Sequence, residues 1–121
     1  MASDSHVLND AISKWEVQLR KGALELVILS SLAAKEQYGF ELITGIAKRA
    51  ALDLPEGTLY PLLLRLSKDA LVASRFAEGE GGAPRKYYTL TRQGRLTLAA
   101  MIHSWNRLSA SVETMIAGAD S

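Results

Sequence analysis

Glu56-Gly57-Thr58-Leu59-Tyr60-Pro61-Leu62-Leu63-Leu64-Arg65-Leu66-Ser67-Lys68-Asp69 decides the fold of this 121-residue chain. Leu59, Leu62, Leu63 and Leu66 recur at i, i+3, i+4 and i+7, the spacing of one apolar helix face. Thr58, Tyr60, Pro61, Leu64, Arg65 and Lys68 are left on the opposite side. Pro55 fits the first turn of such a helix, where its missing N–H has no intrahelical partner to lose. The helix is expected to run to about Asp69.

Upstream, Tyr38 to Arg49 places Leu42, Ile43, Ile46 and Ala47 on one face of a shorter helix, and Ala50 to Pro55 breaks it into a turn. Downstream, Leu71–Ala77 and Arg85–Leu90 read as two strands joined by the glycine- and proline-rich loop Glu78–Pro84. Short helix, turn, second helix and basic hairpin follow the order of a winged helix-turn-helix, in which the second helix offers its polar face to the major groove. On that pattern Arg65 forks onto guanine, Thr58 and Tyr60 meet phosphate or base, and Lys68 adds charge near the backbone. Arg85 and Lys86 on the hairpin beside Gly81-Gly82 are expected to touch phosphates. Tyr87 and Tyr88 alternate across a strand, so one packs inward and the other lies nearer DNA. The pattern does not choose between them.

Farther out, Leu8, Ile12, Trp15 and Leu19 form a helical stripe that needs a partner helix. Leu24, Leu26, Val27, Ile28, Leu29 and Leu32, between Ala23 and Ala34, surround nearly the whole of a central helix, which should be buried on several sides. Thr91 can cap a last helix, whose Leu98, Ile102, Trp105, Ser109, Val112 and Ile116 follow a heptad seam. The ends, through Ser5 and from Gly118, read as frayed. The expected organisation is mainly α with a small β-hairpin: an N-terminal dimerisation helix over 1–21, a winged helix-turn-helix over 22–90, and a C-terminal dimerisation helix over 91–121. Leu8, Ile12, Trp15, Leu19, Leu98, Ile102, Trp105, Val112 and Ile116 are the expected dimer contacts.

Apolar residues make up 48% and charged residues 22%, an ordinary globular balance. The net charge is only +1, but from Lys48 to Arg95 nine basic residues face five acidic ones, so this middle is +4 and the remainder −3. A basic lobe of that kind suits a polyanion partner. No apolar run approaches membrane-spanning length and Met1–Ser5 lacks signal-peptide features, so a cytoplasmic protein without membrane partners is expected. With no cysteine there is no disulfide framework, thiolate nucleophile or thiolate metal site. His6 and His103 lie on different helices without a carboxylate cluster, so no metal is expected. No serine, histidine and carboxylate set or phosphate-cradling glycine loop stands out, and the reading is of a non-enzyme without cofactor.

Tyr38-Gly39-Phe40-Glu41-Leu42, then Glu56-Gly57-Thr58-Leu59-Tyr60-Pro61 with Arg65-Leu66, then Pro84-Arg85-Lys86-Tyr87-Tyr88 with Leu90-Thr91 resemble, in this order, the PadR transcriptional regulators. Gln18-Leu19-Arg20-Lys21-Gly22 resembles the approach to that family's first core helix. The resemblance implies a homodimer that binds double-stranded DNA and represses from palindromic, often ATGT/ACAT-like operators, frequently beside its own gene. A single C-terminal helix is similar to the small subgroup that includes multidrug-responsive repressors, in which a tryptophan of that helix stacks on flat aromatic ligands at the dimer centre. Trp105 stands at the matching place, and Leu26, Ser30 and Ile102 would line the same site. Plain dimer packing by Trp105 is the alternative. Two positions depart from the family pattern: Pro55 replaces a frequent serine cap, and Leu64 a frequent histidine. Leu64 leaves room for a second reading, a winged-helix protein-interaction module without operator recognition.

Overall fold

The computed structural model describes Ala2 to Ala119, without the side chains of Ala2, Ser3 and Glu80. Four helices and a three-stranded sheet follow in the order α1 (Ala2–Ala34), β1 (Gln37–Tyr38), α2 (Gly39–Ala50), α3 (Glu56–Lys68), β2 (Val72–Glu78), β3 (Pro84–Leu90) and α4 (Arg92–Ala119). The two helices expected on either side of Gly22 are one, because α1 runs 33 residues without a break. Glycine weakens a helix interior by only about 1 kcal/mol, too little to stop a helix supported on both sides. The expected fraying is replaced by helix from Ala2 and up to Ala119; Met1, Asp120 and Ser121 lie outside the described residues.

The core forms where α1, α2, α3 and the sheet meet. Ile28, Leu29, Leu32, Leu42, Leu54, Leu59, Leu63 and Leu66 are fully buried, and each such side chain contributes about 1.5–3 kcal/mol of transfer free energy. The stripe of Leu59, Leu63 and Leu66 thus supplies the buried underside of α3. Pro55 stands one position earlier than expected, at the N-cap, where its carbonyl accepts the Thr58 and Leu59 amides at 2.9 and 3.0 Å. Pro61, inside α3, has no N–H for the Gly57 carbonyl, yet the helix continues past it.

The sheet order is β1-β3-β2, all antiparallel. Its two-residue edge strand β1 is absent from the sequence reading, which placed Tyr38 in a helix. The Glu41 carboxylate accepts the Tyr38 amide at 3.2 Å and fixes the change from strand to helix there. Between β2 and β3 the chain turns through a 3-10 segment, Glu80–Gly82, with Gly81 and Gly82 at φ 80° and 82°. That region is open to glycine at little cost.

α4 is anchored at its first turn. The Thr91 hydroxyl accepts the Gly94 amide at 2.9 Å and donates to the Ala70 carbonyl at 2.6 Å, while the Thr91 amide donates to the Leu71 carbonyl at 3.1 Å. A Cβ on Gly94 would lie 3.0 Å from the Leu71 carbonyl carbon and closer still to its oxygen, so glycine is required for the approach. The long α4 is thereby tied to the turn that ends α3. Leu98, grouped by its spacing with the dimer seam, is instead 7% exposed and belongs to the core of its own chain. About two turns beyond the Thr91 anchor, at Leu98, α4 still lies on the domain.

Candidate nucleic-acid interface

α3 presents to solvent the face that its leucines leave over. Pro61, Leu64 and Lys68 follow one another along its centre at helical spacing, all exposed, and Leu64 is 58% exposed despite being apolar. Leu64 is therefore a surface residue and takes no part in the core. Thr58 and Arg65 lie on one flank and Tyr60 on the other, as the 100° step per residue requires. Tyr60 is held in place: a Cβ on Gly39 would come within 2.9 Å of its ring, so the missing side chain at the start of α2 is the seat of that ring. The Tyr-Gly motif of α2 and the Thr-Leu-Tyr motif of α3 are two halves of one contact.

The two cations expected on the wing are separated by the pleat. β3 alternates, and its buried residues Tyr88 and Leu90 define the core face. Lys86 shares that face. Its Nζ lies 5.9 Å from the Phe76 ring centroid and 5.8 Å from that of Tyr88, and Phe76 is its partner across the ladder. Arg85 stands on the opposite face. Its guanidinium lies 4.5 Å from the Tyr38 ring centroid, and its stem fills the space where Gly79 would carry a Cβ. Half-buried and stacked, Arg85 holds the wing to β1. Tyr87 is on this outer side too, edge-on to Tyr38 at 5.5 Å, with Arg75 over its ring at 5.3 Å. The tyrosine pair is thus resolved, Tyr88 inward and Tyr87 outward.

Charge is distributed less simply than the basic count indicates. Arg75 donates from Nε to the Glu36 carboxylate at 2.8 Å and forms a second bond from Nη2, and these hydrogen bonds hold the Glu36 carboxyl below the usual carboxylate range. Arg65 is paired with Glu25 of α1. Burial, followed by the neighbouring Tyr60, raises the Tyr88 hydroxyl above the ordinary phenol value. Lys68 and Lys86, by contrast, are exposed and make no ion pair among the described residues. Phe76, 71% exposed beside Lys86, was missed by the sequence reading. Its signal was the position opposite Lys86 in the hairpin, visible only once the register is known.

The four residues expected to form a ligand site are not brought together. Leu26 and Trp105 line one cleft of about 350 Å³ between α1 and α4, together with Met101, Ser104 and Leu108. Ser30 opens instead into a cavity between α1 and α2 beside Arg49. Ile102 is exposed and does not line the α1–α4 cleft. Helix geometry explains both displacements: a 100° step puts Met101 in the place foreseen for Ile102, while Ser30, four residues beyond Leu26 and on nearly the same face, lies about 6 Å farther along α1, past the end of the cleft. Gly22 also borders the cleft and leaves it open, with nothing within 4 Å of where its Cβ would be. Among the described residues no helix is long and apolar enough to cross a membrane, and no three His, Asp or Glu side chains gather as a metal site.

A short helix, a turn, an exposed second helix and a β-wing on the same core define a winged helix-turn-helix protein. The model of the PadR-like transcriptional regulator family matches residues 28–100, and the chain belongs to that family. It is similar to a PadR family transcriptional regulator from Eggerthella lenta, with 32% identity, 92% of this chain and 96% of that one covered, and a TM-score of 0.83. A PadR-like transcriptional regulator from Bacillus cereus is 36% identical over 82% of this chain and 96% of its own, with a TM-score of 0.73. A PadR-like transcription factor from Bacteroides fragilis is 39% identical over 84% and 98%, with a TM-score of 0.71.

Proposed function

We propose that this chain is a sequence-specific DNA-binding regulator that acts as a homodimer, represses from a palindromic operator, and is released by a flat aromatic ligand held between α1 and α4. The observation that carries the DNA reading is that Lys86 and Phe76 stand on the wing face of Tyr88, the neighbour of Tyr60 on α3, whose Pro61, Leu64 and Lys68 are exposed. α3 enters the major groove, where Pro61 and Leu64 meet thymine methyl groups and Thr58 and Tyr60 meet phosphate or base edges. Lys68 and Lys86 neutralise phosphates, and Arg65 contributes its unpaired N–H groups. Arg85 supports the wing and takes a smaller share in contact. The test is a titration of the protein against duplex from its own upstream region and against random duplex. Preference for the first supports operator recognition; no binding to either favours the protein-interaction reading, to which the exposed apolar Leu64 and Phe76 lend their weight.

Dimerisation is supported by what one chain leaves uncovered. Leu8, Ile12, Trp15 and Leu19 on α1, and Ile102, Trp105, Val112 and Ile116 on α4, are all exposed. Such long apolar stripes are stable in water when a partner covers them. Two copies related by a twofold axis would place two α3 helices for the two halves of a palindrome.

Trp105 lines the α1–α4 cleft and is 43% exposed, and the second subunit would close the space over it. A planar dye is expected to quench its fluorescence. Trp105→Ala should weaken dye affinity at least tenfold and abolish that quenching, leaving the signal of Trp15; unchanged quenching in the variant would refute the stacking site. A ligand that prefers one separation of the two α4 helices shifts the spacing of the α3 helices with it, through the Thr91 anchor.

A further inference from the structure

Among the described residues, Arg65 is the one cation of the α3 reading face that has an acidic partner, and that partner comes from outside the helix-turn-helix. Glu25 lies on α1, one residue before Leu26 of the α1–α4 cleft. The pair remains in contact with water, with the arginine side chain 57% and the glutamate 32% exposed. A net cation on a DNA-binding face attracts every phosphate regardless of sequence, through release of the counterions condensed on the duplex. An ion-paired guanidinium behaves differently. Its charge is cancelled nearby, but it has five N–H donors in a fixed fork, and Glu25 engages it through Nη2. The remaining donors still match the O6 and N7 acceptors of a guanine edge.

We infer that Glu25 is a positioning residue for sequence discrimination: it removes Arg65 from the charges that hold non-specific DNA and orients the fork toward a base. This rests on the DNA-binding reading above. Because Leu26 follows directly on the same helix, a shift of α1 caused by a ligand in the cleft also moves Glu25, so the pair joins the cleft to the reading face. α1 is thus a working part of recognition.

Glu25→Gln keeps shape and hydrogen bonding but removes the charge. It is expected to leave the thermal midpoint within a few degrees of the parent. In anisotropy titrations from 50 to 200 mM salt on random duplex, the slope of log K against log salt should steepen by about 1.8, one added phosphate per subunit of a dimer. The ratio of operator to random affinity should fall at least tenfold. In an Arg65→Ala background the same Glu25→Gln change should leave the slope within about 0.5 of that background, because no cation is there to be released. An unchanged slope and ratio in Glu25→Gln, or an equal steepening without Arg65, would overturn the inference while wild-type operator preference stood. Equal binding of operator and random duplex by the wild-type protein would instead overturn the DNA reading, and this inference with it.

Discussion

Lys86→Ala is expected to weaken binding to operator and random duplex alike, by roughly sixtyfold at 0.1 M salt, since one phosphate contact is worth about eightfold there and a dimer loses two. The slope of log K against log salt should flatten by about 1.8 in the same titrations. Both effects follow from the pleat of β3, which sets Lys86 on the side of α3 without an acidic partner among the described residues. Arg85, its neighbour in sequence, is the control. Its guanidinium is spent on Tyr38 and its stem on Gly79, so Arg85→Ala should change the slope by less than half as much and act mainly by loosening the wing. Equal slopes for the two variants would refute the division of labour, and a loss confined to one sequence would make Lys86 a base reader instead.

Gly94→Ala is expected to destabilise the fold by about 2–3 kcal/mol, the scale of forcing a methyl group into a packed interior. Helix propensity alone predicts the opposite, because alanine is favoured over glycine within a helix by about 1 kcal/mol. The sign is set by what the new Cβ would strike, the backbone carbonyl of Leu71, which cannot rotate aside as a side-chain tip would. That carbonyl already accepts the Thr91 amide. Moving it detaches α4 from the end of α3, so lost stability should be accompanied by lost DNA affinity. Chemical denaturation of the purified variant measures the first; a more stable variant would show that α4 leaves room for a methyl group at the Leu71 carbonyl.

Much of this architecture is legible without coordinates because the apolar spacing and the turn chemistry agree. The α3 stripe of Leu59, Leu62, Leu63 and Leu66, the glycine-rich wing tip and the Thr91 cap each follow from local rules, and each is found where those rules put it. What was not legible depends on elements that meet only in three dimensions. β1 is two residues long, too short for any periodicity, and exists because β3 offers it a partner. Leu98 fits a heptad seam and a core equally well, and only the anchor at Gly94 and Thr91 decides between them. Arg85 and Lys86 are adjacent basic residues, and the strand pleat alone sends them to opposite faces. Arg65 looks like a free cation until α1 is packed beside it with Glu25. Ser30 and Ile102 share the apolar or small character of Leu26 and Trp105, but the rise of α1 carries Ser30 past the end of the cleft and the turn of α4 carries Ile102 off its face. For β1, Leu98, Arg85, Lys86 and Arg65 the deciding partner comes from a distant part of the chain.

The central claim is that Tyr60, Pro61, Leu64, Lys68, Lys86 and Phe76 form one DNA-reading surface in a dimer. The most direct measurement is hydroxyl-radical footprinting of the protein on its own upstream DNA at 0.15 M salt, with random duplex as competitor. Two symmetric protected patches about one helical turn apart, or a whole multiple of it, retained against a thousandfold excess of competitor, are predicted. Uniform protection, or none at concentrations where the protein is folded and dimeric, would contradict it.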